Sequence, residues 1–335
     1  MSELCLRLAR PGEGPAIVDF INRHFDMQLP LVNRPEFYDF YFAGPAGGAP
    51  QFAVAEQDGE CLRAAGYIPA GQAPGADAWV SIWVAAKGHN GVGLQLMDAL
   101  PGLLGARVLA CNNIRANTCA LYEFLGWTAE RLPHYYRLGT PGPDGWTLAV
   151  PGDGAETAPL PVGGDLALEP VADAAAFEAL GLPRTPHTPR KDLWYLRRRY
   201  FEYPYFHYDV WAVREGGRLL AYLITLTAAE TGCAPVVRIV DFIGPDSVLP
   251  RLGAALDKLL REAGAEYLDC YNAGIPAETW RAAGLRERLP GDGVTIPNYL
   301  TPPLRENTEY YYFTSAPENF VLFKADGDQD RPNLG

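Results

Sequence analysis

Apolar and polar positions along this chain fall into short blocks that switch between strand and helix periods. Alternation over 4–9 predicts a strand, followed by a helix over about 13–25 and an aromatic helical segment at 35–42. Strands at 50–56 and 61–69 flank Gln57-Asp58-Gly59, whose Asp-Gly pair signals a hairpin turn. An apolar run, 79–85, then meets a loop with glycines at 88, 91 and 93 and passes into a helical pattern over 91–104. Pro101 inside that pattern predicts a kink or an early end near Leu100, since an interior proline costs ~3 kcal/mol. A further apolar strand follows at 107–111.

The same succession of blocks returns in the second half. Leu6-Arg7-Leu8 matches Leu166-Ala167-Leu168, and Phe52-Ala53-Val54-Ala55-Glu56 matches Trp211-Ala212-Val213-Arg214-Glu215. Val80-Ser81-Ile82 matches Val237-Arg238-Ile239, the segment ending at Cys111 matches that ending at Cys270, and Gly126 matches Gly284. Single matches of this kind are cheap, because alternation is what strands look like. Five in the same order at nearly constant offset predict a tandem duplication, too long in period for a solenoid. The expected division is 1–140, a linker at 141–165 dense in Gly and Pro, and 166–335. A short strand at 146–150 is expected to close the first domain.

Composition narrows the class. The 335 residues are 48% hydrophobic and 20% charged, with a net charge of −12. That balance predicts a globular protein and argues against nucleic acid or an anionic membrane as partner, either of which favours a basic face. Six scattered cysteines show no metal-binding spacing, so no metal is expected and buried reduced thiols are the default reading. With no signal-peptide core and no long apolar stretch, the expected location is the cytoplasm.

Chemistry concentrates after the strand at 79–85. Backbone N–H groups converge where a strand runs through a glycine turn into a helix N-terminus, and that arrangement favours a phosphate. Downstream stands Asn117-Thr118-Cys119-Ala120-Leu121-Tyr122-Glu123-Phe124-Leu125-Gly126-Trp127. With that segment, residues 4–140 resemble the GNAT superfamily of acyl-CoA-dependent N-acyltransferases. The resemblance implies an α/β fold (an α+β mixed sheet) of two tandem GNAT-like domains, each a mostly antiparallel mixed sheet flanked by helices.

It also implies acetyl-CoA or another acyl-CoA as co-substrate. Its arm would lie along Val84 and Ala85, and its pyrophosphate at Lys87, Gly88, His89, Asn90, Gly91, Val92 and Gly93. Lys87 would supply the charge that a Gln or Arg usually supplies in the family. Tyr122 matches the family's general acid for the departing thiolate, and Asn117 its polar contact to the cofactor arm. Asp77 and His134, each just before a strand, are the candidate bases.

The second half lacks the glycine loop: Val240-Asp241-Phe242-Ile243-Gly244-Pro245-Asp246 puts two acids and a proline there. It is therefore expected to be non-catalytic, structural or substrate-binding. The basic and aromatic run at 194–208 reads either as a nucleotide or sugar site or as an amphipathic helix with its arginines in water. The acidic tail at 324–333 evokes a calcium loop without the required glutamate, or a solvated terminus. That tail is similar to the ends of tandem acyltransferase-like proteins of bacterial surface-polysaccharide clusters. Together these readings imply an N-acetyltransferase, a monomer or homodimer, acting on a primary amine of a small molecule such as a nucleotide-linked amino sugar. Two alternatives stand beside it. One is a Fem-type aminoacyltransferase, disfavoured by the charge and by the lack of a coiled-coil arm; the other is a non-catalytic acyl-CoA-binding module.

Overall fold

The computed structural model describes residues 4–332, except 26, 45–47, 88–91, 144, 153–159, 231 and 301–302. In the first half, strands β1 (Cys5–Leu8), β2 (Phe52–Gln57), β3 (Glu60–Pro69), β4 (Ala78–Ala85), β5 (Leu109–Ile114), β6 (Thr128–Arg131) and β7 (His134–Leu138) alternate with helices. The helices are α1 (Gly14–His24), α2 (Pro30–Asn33), α3 (Pro35–Tyr41), α4 (Val92–Leu104) and α5 (Cys119–Phe124). The second half repeats the succession with β8 (Leu168–Pro170), β9 (Asp209–Glu215), β10 (Arg218–Ala228), β11 (Val236–Ile243), β12 (Tyr267–Ala273), β13 (Arg286–Arg288) and β14 (Tyr311–Thr314). Its helices are α6 (Ala174–Leu180), α7 (Leu193–Phe201), α8 (Gly253–Glu262) and α9 (Ala277–Ala282), and a short β15 (Leu322–Phe323) ends the chain's strands.

Most expected elements form where the pattern puts them. The Asp58-Gly59 turn has positive φ at both residues (54° and 79°), the geometry of a two-residue hairpin, and Gln57 pairs with Glu60 across it. Helix α4 does not end early at Leu100. It runs through Pro101 to Leu104, because Leu100 is buried and Leu103 and Leu104 also pack on the core beneath, offsetting the lost bond. The segment at 146–150 does not close the first domain. Val150 bridges to Thr295, and the buried carboxylate of Glu266 accepts from the amides of Thr147, Leu148 and Ala149.

The duplication is visible in the hydrogen-bond register. In the first sheet β4 and β5 run parallel and pair at Ala78↔Leu109 and Trp79↔Ala110. In the second, β11 and β12 run parallel and pair at Val237↔Leu268, Arg238↔Asp269 and Ile239↔Cys270. The first pair of each set is separated by the same offset (237 − 78 and 268 − 109 are both 159). Both parallel pairs part soon afterwards, beside a bulge at Ser81 in β4 and at Val240 in β11. A bulge bends its strand and increases its twist, so each sheet opens into a wedge at the same place.

The sheets do not keep to their own halves. The first has the order β1-β2-β3-β4-β5-β14-β6, and the second β13-β7-β12-β11-β10-β9-β8. Counted from β1 and from β8, the sixth place in each is thus taken by the last main strand of the other half. β14 lies antiparallel between β5 and β6, while β7 lies antiparallel between β12 and β13. One apolar core is shared by both sheets and holds Trp79 and Ile82 from β4 beside Tyr195 and Tyr271 from the second half. Separate outer cores hold Leu96, Met97 and Leu100 of α4 on the first sheet and Leu256 and Leu260 of α8 on the second.

The tail is neither a calcium loop nor solvated. Asp326, Asp328 and Asp330 are buried, as is Lys324. Lys191 Nζ lies 2.7 Å from Asp241 and 2.6 Å from Asp326, and Tyr200 donates to Asp241 at 2.5 Å. Arg199 does not face water either. It is 1% exposed, sits over the rings of Tyr203 and Tyr208, and donates to the carbonyls of Ala325 and Asp330. Opposite charges and ring faces let these groups leave water together. Among the described residues no helix is long and apolar enough to cross a membrane.

Candidate active site

The two wedges differ in what fills them. In the second, β15 pairs with β12 at Asn272↔Phe323 and Ala273↔Leu322, and the amide of Ala325 donates to Val240 on the other side at 3.2 Å. Asn272 also donates its side-chain amide to Leu322 at 3.0 Å. The chain's own tail thus bridges β11 and β12 just where they part, and Leu322 and Phe323 are fully buried there.

In the first wedge, among the described residues, β4 has no strand paired to it on the β5 side after Trp79. Val84 is buried and Ala85 exposed at its outer end, with Lys87 exposed beyond. Three buried polar side-chain atoms of β4 have no hydrogen-bond partner among the described residues: Trp79 Nε1, Ser81 Oγ at the bulge and Trp83 Nε1. Buried polar groups are ordinarily satisfied. Orphans along a splayed strand fit a ligand rich in amides and carbonyls, which is what the arm of an acyl-CoA offers.

Beyond β4, Gly88, His89, Asn90 and Gly91 lie outside the described residues. Val92 opens α4, and Gly93 is buried against the Trp83 ring, where a Cβ would stand 3.0 Å from it. Asn117 is exposed in a 3-10 turn, Ala116–Thr118, between β5 and α5.

Tyr122 lies on α5, beneath an aromatic cluster. Its ring stacks on Phe313 with centroids 4.2 Å apart, and Trp83 and Trp127 lie 6.3 Å away. Trp83 belongs to β4 and Tyr122 to the helix after β5, so the pair spans the wedge. Burial pushes the phenol well above its ordinary pKa, and nearby Cys111 and Cys119 add to the shift. The hydroxyl is therefore protonated at neutral pH.

The two base candidates do other things. Asp77, buried before β4, accepts from the amides of Val108 at 3.0 Å and Arg190 at 2.8 Å, tying the wedge's closed end to the second half. His134 belongs to the second sheet through β7, not to the first-domain cleft. It is fully buried, with Nε2 2.9 Å from Asp269 and Nδ1 accepting from Arg288 at 3.3 Å, and its ring stacks on Tyr271. Burial holds its pKa below the ordinary histidine value although Asp269 works the other way. All six cysteines are free, but only Cys111 and Cys270 are buried. Among the described residues no group of three or more His, Cys, Asp or Glu is placed to hold a metal ion.

The fold is that of two tandem GNAT-like domains. It is shared with a GCN5-related N-acetyltransferase from Anabaena variabilis, at 13% identity and a TM-score of 0.52 over 93% of this chain and 72% of that one. A GCN5-related N-acetyltransferase from Kribbella flavida aligns at 15% identity and a TM-score of 0.42, over 93% of this chain and 71% of that one. A Salmonella typhimurium protein solved with its cofactor acetyl-CoA aligns at 20% identity and a TM-score of 0.28, over 39% of this chain and 84% of that one. No protein-family model matches the chain, and no curated protein matches it by sequence.

Proposed function

We propose that this protein is an acyl-CoA-dependent N-acyltransferase, using acetyl-CoA, whose cofactor lies in the first wedge alone. The observation that carries this is the contrast between the wedges: orphaned polar atoms line the first, and the chain's own tail bridges the second. The shared fold with an N-acetyltransferase supports the same reading.

In that reaction the acceptor nitrogen bonds to the acyl carbon and gives up its proton to water, the carbon–sulfur bond breaks, and the departing thiolate takes a proton from Tyr122, whose phenolate is reprotonated from water. β4 backbone past Trp79 holds the arm and polarises the thioester carbonyl, with the Lys87–Gly93 loop at the pyrophosphate. Asp77 and His134 have no part in the proposal, since each is committed to holding the fold. The amine acceptor is a small molecule. The second half, on this reading, completes the first sheet and walls its acceptor face.

Calorimetric titration with acetyl-CoA tests the proposal. Wild type should bind, and Gly93→Glu should lose at least tenfold in affinity through its side chain against Trp83 and its negative charge. No binding by folded wild type would refute it.

A further inference from the structure

A cavity of about 390 Å³ lies between the two halves, within the range of small-molecule sites. Asn113 on β5, three residues past the last β4–β5 pair, lines it from the first half. Its far wall comes from Arg238 on β11, and the buried tail contributes Lys324 and Asp330. The segment that fills the second wedge therefore also lines a chamber that reaches β5 of the first sheet.

The cations lining this chamber are paired with carboxylates, with one exception. Arg238 is held by Asp269 at 2.7 Å, and Arg331 by Asp328. Asp330 accepts from Tyr208 at 2.8 Å while Arg199 holds its carbonyl. Lys324 is 6% exposed and has no carboxylate within ion-pair distance among the described residues. Its amine sits 4.9 Å over the Tyr310 ring. A cation withdrawn from water without an acid partner is costly, and a bound anion would offset that cost.

We propose that this cavity receives the acid group, a carboxylate or a phosphate, of the amine acceptor, with Lys324 as its counter-charge. The word acceptor rests on the transferase reading above, while the anion site stands or falls on its own measurement. Burial, helped by Arg238, lowers the Lys324 pKa to about 8 against the upward pull of Asp330, Tyr299 and Asp269. The amine is thus mostly charged at pH 7 and would lose its charge, and its hold on an anion, as pH rises through 8. Aromatic faces of Phe206 and Tyr310 beside it suit the carbon frame of a small acceptor.

The test titrates full-length wild type, Lys324→Met and Lys324→Arg calorimetrically at pH 7 with two probes. Inorganic phosphate represents a phosphate-bearing acceptor and N-acetylglycine a carboxylate-bearing one. At least one probe should bind wild type, bind Lys324→Met at least tenfold more weakly, and recover most of its affinity in Lys324→Arg. Equal affinity of wild type and Lys324→Met for both probes, or no binding of either, overturns the proposal. Because Lys324→Met removes a buried group, a second readout uses wild type alone. The Lys324 amine, followed by nitrogen NMR, should titrate at higher pH with the binding probe at saturation, and an unmoved titration overturns the proposal equally. Acetyl-CoA titration of the same sample separates the two readings, since its failure beside intact anion binding faults the transferase and not the site.

Discussion

Phe313, from the second half of the chain, stacks on Tyr122 of the first with ring centroids 4.2 Å apart. The contact exists because β14 sits between β5 and β6, so the proposed proton donor leans on a residue contributed across the duplication. Two consequences can be measured, one chemical and one concerning folding.

Tyr122→Phe keeps the ring and its stacking and removes only the hydroxyl. Acetyl-CoA affinity should be unchanged while thiol release with a competent amine falls by ~10²–10⁴, the usual worth of a positioned acid. Unchanged turnover would strip Tyr122 of that role.

Residues 1–140 and 166–335 produced separately should not fold, because each would lack the sixth strand of its sheet and expose both neighbours of the gap. Produced together, they should assemble into one particle of native helix and strand content. Circular dichroism and size-exclusion chromatography of each half decide it, and a cooperatively folded 1–140 fragment would contradict the expectation.

Lys191 stands between the buried carboxylates of Asp241 and Asp326, with its own side chain 7% exposed. Burial pushes the Asp326 carboxyl up to about 6 against the pull of Lys191. Lys191→Met leaves two carboxylates facing each other without a cation, and denaturant unfolding should show a loss of ~3–5 kcal/mol. Asp326→Asn added to Lys191→Met should recover part of it. If Lys191→Met alone is neutral, the triad does not hold the tail in place.

Lys324→Met should act in the opposite direction. The folded-state pKa of about 8 lies below the ordinary 10.5, so the charged amine costs stability at neutral pH. At 1.36 kcal/mol per pKa unit the gain at pH 7 is about 3 kcal/mol. Between 8 and 10.5 the unfolded chain holds a proton that the folded one has lost, so wild type gains stability as pH rises and the difference closes. Paired urea unfolding curves at pH 7 and pH 10.5 measure this, and a difference independent of pH would show that the amine is not the cause.

Much of the fold was legible because it is written locally. Alternation located β1–β4, the Asp58-Gly59 pair announced its hairpin, and the constant offset between halves survives in the pairing register of β4–β5 and β11–β12. The strand exchange was not legible. His134-Tyr135-Tyr136-Arg137-Leu138 and Tyr311-Tyr312-Phe313-Thr314 are both aromatic strand sequences, and neither says which sheet it will join. Partner choice is a long-range property, and it moved His134 from the first cleft to the second sheet. The tail misled for a different reason. Its acids read as solvated one by one, and only tertiary pairing with Lys191, Arg199 and Tyr208 makes their burial tolerable. Lys324 gave no signal at all, since neither its isolation nor the cavity can be seen in a sequence.

Reciprocal exchange of β7 and β14 also bears on how the duplicated gene can change. Two copies joined end to end can ordinarily be pared back to one once the spare has decayed. Here each half has handed over a strand to the sheet of the other, so deleting either half would take a strand from the one that remains. Each half is thereby held to its length by the strand it supplies to its neighbour. The duplication has become a ratchet, irreversible without first reversing the swap.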